Sequence, residues 1–256
     1  MTPEELHNIF RTEAGFWWYR GMRSITDSFL KPLHVPRGSK TLDAGCGSGF
    51  NALDLEHRYG LQCYGVDVAG LAIEYCRQRN FRRSVVGSAM QLPFGDNFFD
   101  MVVSMDVLSH LPAGEDDRAL SEFVRVLRPG GWILLRVPAF PAMRSRHSQW
   151  IAEQHRYRDA ELRRKLLSLN CRIVRSTYAN VFLSPIAMLK FRVIEPLWRS
   201  APRSGVSKIP PAWLNLALTT ILKLEAALIR SGLCFPFGQS LLVLATKPAA
   251  VPPPAA

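Results

Sequence analysis

The 256-residue sequence lacks the patterns of disulfide-stapled, metal-binding and membrane-spanning proteins. Its five cysteines are scattered, without a C-x-x-C pair or a Cys/His cluster at metal-ligand spacing. No stretch reaches the ~18 to 20 uncharged apolar residues that a membrane-spanning helix needs. Residues 1–10 contain no apolar segment of a secretory signal. We therefore expect reduced, mostly buried thiols, no metal site and a cytoplasmic location.

Acidic residues are few relative to basic ones. The 21 Asp and Glu residues stand against 32 Lys and Arg, which gives a formal net charge of +11. Such a balance favours acidic partners, namely nucleic acid, anionic lipid heads or phosphorylated substrates, without choosing among them. With 48% hydrophobic residues, a chain of this length can bury one sizeable core. One domain with an elaboration is therefore expected.

Short apolar runs alternate with amphipathic stretches from residue 40 to residue 138, as in βα units around a parallel sheet. The predicted strands are 40–44, 62–67, 84–87, 99–105, 132–137, 172–178 and 241–245. The predicted helices among them are 51–59, 71–79, 117–127 and 159–169. Residues 128–131, Arg-Pro-Gly-Gly, are predicted to stop a helix and form a turn. The sequence thus predicts an α/β fold with a doubly wound, mostly parallel, seven-stranded sheet.

The predicted sheet divides the sequence into five parts. These are N-terminal cap helices (1–37), the core (38–180), a helical insertion (181–238), the last core strand (239–247) and a Pro/Ala-rich disordered tail (248–256). The insertion contains two apolar helical patterns interrupted by prolines. In the second pattern one helical face is predicted to carry Leu214, Leu218, Ile221 and Leu228. Water or lipid headgroups are expected to meet Thr219, Lys223 and Arg230.

A glycine-rich turn between the first predicted strand and helix indicates a nucleotide cofactor. Its glycines at 45, 47 and 49 let backbone approach a ligand, and the following helix presents free N–H groups. The spacing is G-x-G-x-G, whereas the nicotinamide and flavin fingerprint is G-x-G-x-x-G. Asp43 precedes the glycines and suits a cofactor with a cationic amino-acid portion. Asp67 ends the second predicted strand, where a carboxylate can accept both ribose hydroxyls of an adenosine.

These segments resemble the class I S-adenosylmethionine-dependent methyltransferases, closest to the small-molecule branch that includes ubiquinone-biosynthesis-type enzymes. Residues 42–49, Leu-Asp-Ala-Gly-Cys-Gly-Ser-Gly, are similar to the family's first motif, and 65–67, Gly-Val-Asp, to its second. Residues 87–94 resemble the third motif and 99–111 the fourth, while 126–132 resemble the turn before the fifth strand. The family's acidic residue near the adenine is replaced here by Ser88. Adenine recognition is therefore left to a hydroxyl or to the main chain.

The resemblance implies S-adenosylmethionine as cofactor and a set of contact residues. They are Tyr19, Arg23, Asp43, Gly45, Cys46, Gly47, Gly49, Asp67, Val68, Ser88, Ala89, Met90, Met105, Asp106 and Val107. Tyr19 would line the methionine end of the pocket, and Arg20 or Arg23 would pair with the cofactor carboxylate, which suits an Arg fork. The alternative for this cap is a helix that packs its aromatic residues on the sheet edge.

Two histidines are candidate catalytic residues. His110 follows the fourth predicted strand at the ligand-binding edge of the sheet, and His155 precedes a predicted helix near the position where relatives place a histidine close to the acceptor. Each is a candidate general base or substrate contact. The alternatives are a helix-start histidine bonded to backbone for His110 and a solvated helix entry for His155.

The apolar, basic insertion favours a small-molecule acceptor of the lipid, polyketide, terpenoid or glycolipid class. The insertion is predicted to form a lid over the acceptor site. A peripheral contact with a membrane is a further candidate. The alternative is an extra helical layer over the sheet. Base-modifying relatives share an Asn/Asp-Pro-Pro-aromatic motif, but residues 104–107 are Ser-Met-Asp-Val, which argues against nucleic acid. A tRNA or protein methyltransferase and a non-catalytic adenosyl-binding subunit remain the rival functions.

Overall fold

The computed structural model describes residues 2–197, 201–202 and 204–249. Within these residues, seven strands form one sheet in the order β3-β2-β1-β4-β5-β7-β6. The strands are β1 (Lys40–Ala44), β2 (Gln62–Asp67), β3 (Ser84–Val86), β4 (Phe99–Met105), β5 (Leu127–Pro138), β6 (Arg172–Ala179) and β7 (Ser240–Thr246). Strand β7 runs antiparallel to both of its neighbours, while β1 to β5 pair in parallel. This confirms the predicted doubly wound, mostly parallel sheet.

Helices cover both faces of the sheet. They are α1 (Pro3–Thr12), α2 (Trp17–Leu30), α3 (Phe50–Tyr59), α4 (Gly70–Gln78), α5 (Glu115–Val126), α6 (Arg146–Trp150), α7 (Asp159–Ser168), α8 (Ser184–Leu189), α9 (Glu195–Leu197) and α10 (Ala212–Arg230), with a π-helical stretch at Lys190–Ile194. Helices α5 and α7 pack on one face. Helices α2, α3, α4 and α10 pack on the other. Because both faces are covered, the central strands are apolar on both sides: Val102 of β4 joins the first cluster, whereas Met101 and Val103 join the second.

The predicted helix stop before residues 128–131 is confirmed, since α5 ends at Val126, but the predicted turn is wrong, because these residues belong to β5. Gly130 adopts a positive φ of 79° and donates its N–H to Lys247 O at 2.8 Å. Lys247 N in turn donates to Gly131 O at 3.0 Å. The chain after β7 therefore keeps this segment paired, and the glycines bend the strand without ending it.

The N-terminal cap consists of one peripheral helix and one core helix. In α1, Phe10 stacks on Tyr75 of α4 with ring centroids 4.2 Å apart. In α2, Met22, Ile25 and Phe29 are buried against the sheet. The second cap helix therefore belongs to the layer that supports the sheet.

Helix α10 of the insertion packs closely on α2. A Cβ atom at Gly21 would lie 2.2 Å from Leu222 Cδ1, so glycine is needed for this approach. The predicted orientation of α10 is partly wrong: Thr219 is buried, with its Oγ1 donating to Asn215 O at 2.7 Å, and Leu228 is exposed. The polar Thr219 faces inward because its hydroxyl is satisfied within the helix.

Most of the predicted tail, 250–256, lies outside the described residues.

Candidate functional site

The glycine-rich turn predicted from the sequence, called here the cofactor loop (45–49), connects β1 to α3. Gly45 has a φ of 85°, and a Cβ atom there would lie 2.1 Å from Val107 Cγ2. The N–H groups of Gly45 and Cys46 both donate to Val66 O, at 2.7 and 3.0 Å. The loop is thus fixed against the ends of β2 and β4, which brings the first, second and fourth motifs together at one edge of the sheet.

Asp67 connects the cofactor loop to the end of β2. Its Oδ2 accepts from Gly47 N at 2.9 Å, and its Oδ1 accepts from Ala69 N at 2.9 Å. A carboxylate has about four acceptor positions, so each oxygen retains capacity for a further donor. Asp67 can therefore position the loop and accept ribose hydroxyls at the same time.

Gly47 lies at the open side of the cofactor loop. Its φ is 52°, and a Cβ atom built on it would meet nothing within 4 Å. The backbone of Gly47 therefore borders open space. Such space is expected where a cofactor lies against the main chain.

Asp43 is a buried carboxylate in β1, two residues before the cofactor loop. The side chain is 1% exposed, and neither carboxylate oxygen has a hydrogen-bond partner among the described residues. Burial and, secondarily, the nearby Asp67 raise the pKa of Asp43 to about 7. An unpartnered buried carboxylate is costly unless a cation or donor meets it. The ammonium group of S-adenosylmethionine is such a cation, so the unpartnered carboxylate of Asp43 fits this cofactor.

The adenine side of the site begins at β3. The N–H of Gly87 donates to Asp67 O at 3.0 Å, so the third motif starts beside the proposed ribose position. Ser88 Oγ accepts from Met90 N at 3.1 Å, in a local turn that also contains Ala89. Val68 is 77% exposed and provides an apolar surface next to this turn. The Ser88 hydroxyl is therefore engaged by the main chain, and its contact with adenine stays a prediction.

A small cavity lies under α2, at the carboxyl ends of β4 and β5. It is lined by Tyr19, Arg23, Thr26, Asn51, Asp54, Leu55, Arg58, Val103, Met105 and Arg136. Three predicted site residues, Tyr19, Arg23 and Met105, are therefore brought together. Arg23 donates to Glu13 O at 2.9 Å and lies over the Phe50 ring, directly after the cofactor loop.

Arg136 was not predicted as a site residue. Its Nε and Nη2 contact Asp106 Oδ2 at 2.9 and 2.7 Å, and its guanidinium lies 4.9 Å from the centre of the Trp18 ring. Asp106 itself adopts a φ of 63° and donates its N–H to Arg136 O. The signal in the sequence was a lone cation in the apolar strand Trp-Ile-Leu-Leu-Arg-Val, because a buried charge requires a partner.

Glu13 was also missed as a functional side chain. It is buried, accepts a hydrogen bond from Ser48 Oγ in the cofactor loop and pairs with Arg79 Nη2 at 2.8 Å. Burial raises the pKa of Glu13, while Ser48 and Arg79 oppose that rise. The N-terminal cap is therefore joined to the cofactor loop by this carboxylate. Such a long-range contact has no periodic signal in the sequence.

The two predicted catalytic histidines lie outside the described cavity lining. Burial lowers the pKa of His110 to about 4, and its Nδ1 has no hydrogen-bond partner among the described residues. His155 Nε2 contacts Glu161 Oε1 at 2.8 Å, its ring packs edge-on against Tyr157, and its side chain is 44% exposed. Their catalytic roles stay predictions.

The five cysteines form no disulfide in the structure: four are buried and Cys234 is exposed. The thiol of Cys46 lies in the core, 3.9 Å from Cys76 Sγ, so this residue borders the cofactor space through its main chain. No group of three or more His, Cys, Asp or Glu residues within 2–197, 201–202 and 204–249 is arranged to hold a metal ion.

Comparisons with known proteins agree with this geometry. Residues 42–135 match the family described as a methyltransferase domain. The chain is 32% identical over 114 residues to methyltransferase GfsG of Streptomyces halstedii, a match that covers 42% of this chain and 40% of GfsG. It is 33% identical over 150 residues to an Arabidopsis thaliana tRNA (carboxymethyluridine(34)-5-O)-methyltransferase, covering 57% and 31% of the two chains. This chain thus spans less than half the length of these two relatives.

Solved structures share the fold at low sequence identity. A SAM-dependent methyltransferase from Archaeoglobus fulgidus has a TM-score of 0.55 and 19% identity, covering 89% of this chain and 94% of that one. Phosphoethanolamine N-methyltransferase 2 of Haemonchus contortus, solved with S-adenosyl-L-methionine, has a TM-score of 0.54 and 18% identity, covering 87% and 52%. The sheet order, the cofactor loop and the sequence match together establish that this chain contains a class I S-adenosylmethionine-dependent methyltransferase domain.

Proposed function

We propose that this protein transfers a methyl group from S-adenosylmethionine to a small acceptor with an apolar or amphipathic body. The observation that carries this proposal is the small cavity beneath α2, which Tyr19 of the aromatic cap lines and whose Arg136 contacts the Trp18 ring. A narrow site of this kind favours a slender acceptor over a folded macromolecule. Lipid, polyketide, terpenoid and glycolipid acceptors all meet that requirement.

The residues of the cofactor loop region and those of the cavity would have separate roles. Asp43 would meet the cofactor's ammonium, Asp67 its ribose, and the main chain after Ser88 its adenine. When bound, S-adenosylmethionine supplies an already activated methyl group. The chain's contribution is alignment and exclusion of water, and positioning of this kind can contribute ~7 to 11 kcal/mol. Arg136, held in place by Asp106, lines the cavity and would contact a polar group of the acceptor.

A tRNA acceptor is the second candidate. The formal net charge of +11 and the similarity to a tRNA methyltransferase favour it. Residues 104–107 lack the Asn/Asp-Pro-Pro-aromatic motif with which base-modifying relatives grip a flipped base. RNA binding driven by phosphate contacts would weaken steeply with salt.

The acceptor class can be decided with methyl-labelled S-adenosylmethionine. Purified protein is incubated with a lipid extract and, separately, with an RNA fraction of the same cells, and label is followed by chromatography and mass spectrometry. We expect label in small, organic-soluble molecules. Transfer to RNA alone would assign the second candidate. No transfer to either fraction, despite cofactor binding, would indicate a non-catalytic adenosyl-binding subunit.

Asp43→Asn is expected to have opposite effects on cofactor affinity and on stability. At pH 8 the variant should bind S-adenosylmethionine about tenfold more weakly, because the ammonium loses its carboxylate. Without cofactor, its free energy of unfolding should be ~1 to 3 kcal/mol higher than that of the wild type, because a buried, unpartnered charge is removed. Calorimetry and thermal unfolding measure the two effects.

The pH dependence of Asp43 supplies the control. Its pKa is raised from 3.8 to about 7 in the fold, so the stability contributed by its neutral form is fully present below pH 3.8 and is lost as the pH rises through 7. The stability advantage of Asp43→Asn over the wild type should therefore be largest above pH 7 and should shrink steadily as the pH falls towards 3.8. Cofactor binding by the wild type should weaken from pH 7 to pH 5.5, because binding then requires release of a proton. Equal affinity at both pH values would contradict this role of Asp43.

A further inference from the structure

Exposed apolar side chains are concentrated in the segment between β6 and β7. Most of the large apolar side chains exposed within the described residues lie in this segment. They are Phe182, Ile186, Met188, Leu189, Val193, Ile194, Leu197, Ile209, Trp213, Leu216, Leu224, Leu228, Leu233 and Phe237. A patch of this size on a folded chain marks an interaction surface.

Helix α10 gives this surface a defined geometry. Trp213, Leu216 and Leu224 are exposed by 72%, 61% and 61%, and Leu228 is exposed as well. At 3.6 residues per turn these four side chains share one face of the helix. The opposite face packs in the core. We call the exposed stripe (213, 216, 224 and 228) the outer face of α10.

Cations border the outer face of α10, while the two carboxylates of the segment between β6 and β7 accept hydrogen bonds from backbone N–H groups. Lys223 and Arg230 are exposed and follow the same edge of the helix, seven residues apart. Glu225 is buried and accepts from the N–H groups of Asn180 and Val181 at 2.5 and 2.8 Å. Glu195 Oε2 accepts from Arg146 N at 2.9 Å. The charge that the described part of this segment presents to its surroundings is therefore positive.

The geometry of α10 favours lying on a bilayer over crossing it. Among the described helices, α10 is the one that is long and apolar enough to span a membrane by length and composition, with a mean hydropathy of 1.4. Its inner face, however, carries Asn215, which accepts from Trp17 N at 2.8 Å and donates to Gly15 O at 2.9 Å. Leu222 and Ile229 are fully buried against the core. The packing leaves one apolar face with basic margins, the pattern of an interfacial helix.

We propose that the outer face of α10, with Lys223 and Arg230 at its margin, docks this protein on the surface of an anionic lipid bilayer. Leucine side chains and the indole of Trp213 enter the boundary between headgroups and acyl chains, where tryptophan is enriched. The two cations meet anionic headgroups. This proposal goes beyond methyl transfer and does not depend on the identity of the acceptor.

The test is sedimentation of the full-length protein with vesicles, without cofactor or acceptor. We expect binding to phosphatidylcholine vesicles that contain phosphatidylglycerol, weaker binding to phosphatidylcholine alone, and a decrease with salt. Leu216→Gln/Leu224→Gln and, separately, Lys223→Glu/Arg230→Glu should each reduce the partition coefficient at least tenfold. All four positions are exposed, so thermal unfolding should stay near that of the wild type.

Helix α7 provides the matched control. Leu167 and Arg164 are exposed there, and Leu167→Gln/Arg164→Glu makes the same chemical changes elsewhere on the surface. This variant should bind vesicles like the wild type. Absence of vesicle binding, or equal loss in the control, would overturn the proposal. So would a dimer, seen by light scattering without lipid, that Leu216→Gln/Leu224→Gln dissociates, because the outer face would then bind a second copy. The labelled-methyl assay remains independent of each result.

Discussion

Gly47→Val is expected to reduce S-adenosylmethionine affinity at least a thousandfold while the protein still folds. A Cβ atom at Gly47 meets no protein atom within 4 Å, so the new side chain does not collide with the fold. It projects instead from the cofactor loop into open space, where we expect the cofactor to lie. Because the cofactor must approach this backbone closely, a branched side chain there excludes it sterically. Calorimetry with the purified variant measures the effect.

The backbone conformation of Gly47 requires a matched control. Its φ of 52° is unfavourable for a β-branched residue, at ~1 to 2 kcal/mol of stability. Gly38 also has a positive φ, 80°, and an open Cβ direction, but it lies before β1, outside the cofactor loop. Gly38→Val should therefore lose similar stability and keep wild-type cofactor affinity. Equal loss of affinity in the two variants would mean that strain, and not occupation of the cofactor space, causes the effect.

The parts of the fold that were predicted from sequence are those with local signals. Strands β1, β2 and β4 begin and end at the predicted residues because each is a short apolar run bounded by glycine, aspartate or proline signals. The cofactor loop and Asp67 were identifiable because chain direction alone brings carboxyl ends of parallel strands to one edge. In the structure Asp43 pairs in register with Gly65 and Asp67 with Val86, at that edge.

The parts that were missed depend on contacts between distant segments. Glu13 reaches Ser48 in the cofactor loop, and Arg136 reaches Asp106 and Trp18; neither contact leaves a periodic pattern. The orientation of α10 was also partly wrong, because hydrophobic residues surround most of that helix. Polar Asn215, Thr219 and Glu225 face inward there, where their hydrogen bonds are satisfied. Apolar periodicity cannot reveal an inner face of that composition.

Asp67→Ala is expected to weaken S-adenosylmethionine binding about a hundredfold. Hydrogen bonds to a charged acceptor contribute ~1.5 to 3 kcal/mol each, and the ribose hydroxyls would lose two of them. The variant also frees the N–H groups of Gly47 and Ala69, so the cofactor loop loses its attachment to β2. The sheet should remain folded, since Asp67 lies at the end of its strand. Calorimetry gives the affinity, and circular dichroism confirms the fold.

The loss of loop attachment and the loss of ribose contacts can be separated with an analogue of the cofactor that lacks the ribose 2′-hydroxyl. If Asp67 accepts this hydroxyl, the wild type should bind the analogue at least tenfold more weakly than S-adenosylmethionine. Asp67→Ala should bind both compounds with nearly equal affinity, because its acceptor is already absent. Asp96→Ala, which removes an exposed carboxylate paired with Arg125, should keep wild-type discrimination. If Asp67→Ala discriminates between the two compounds as strongly as the wild type, Asp67 acts on the cofactor loop alone and the ribose contact belongs to another residue.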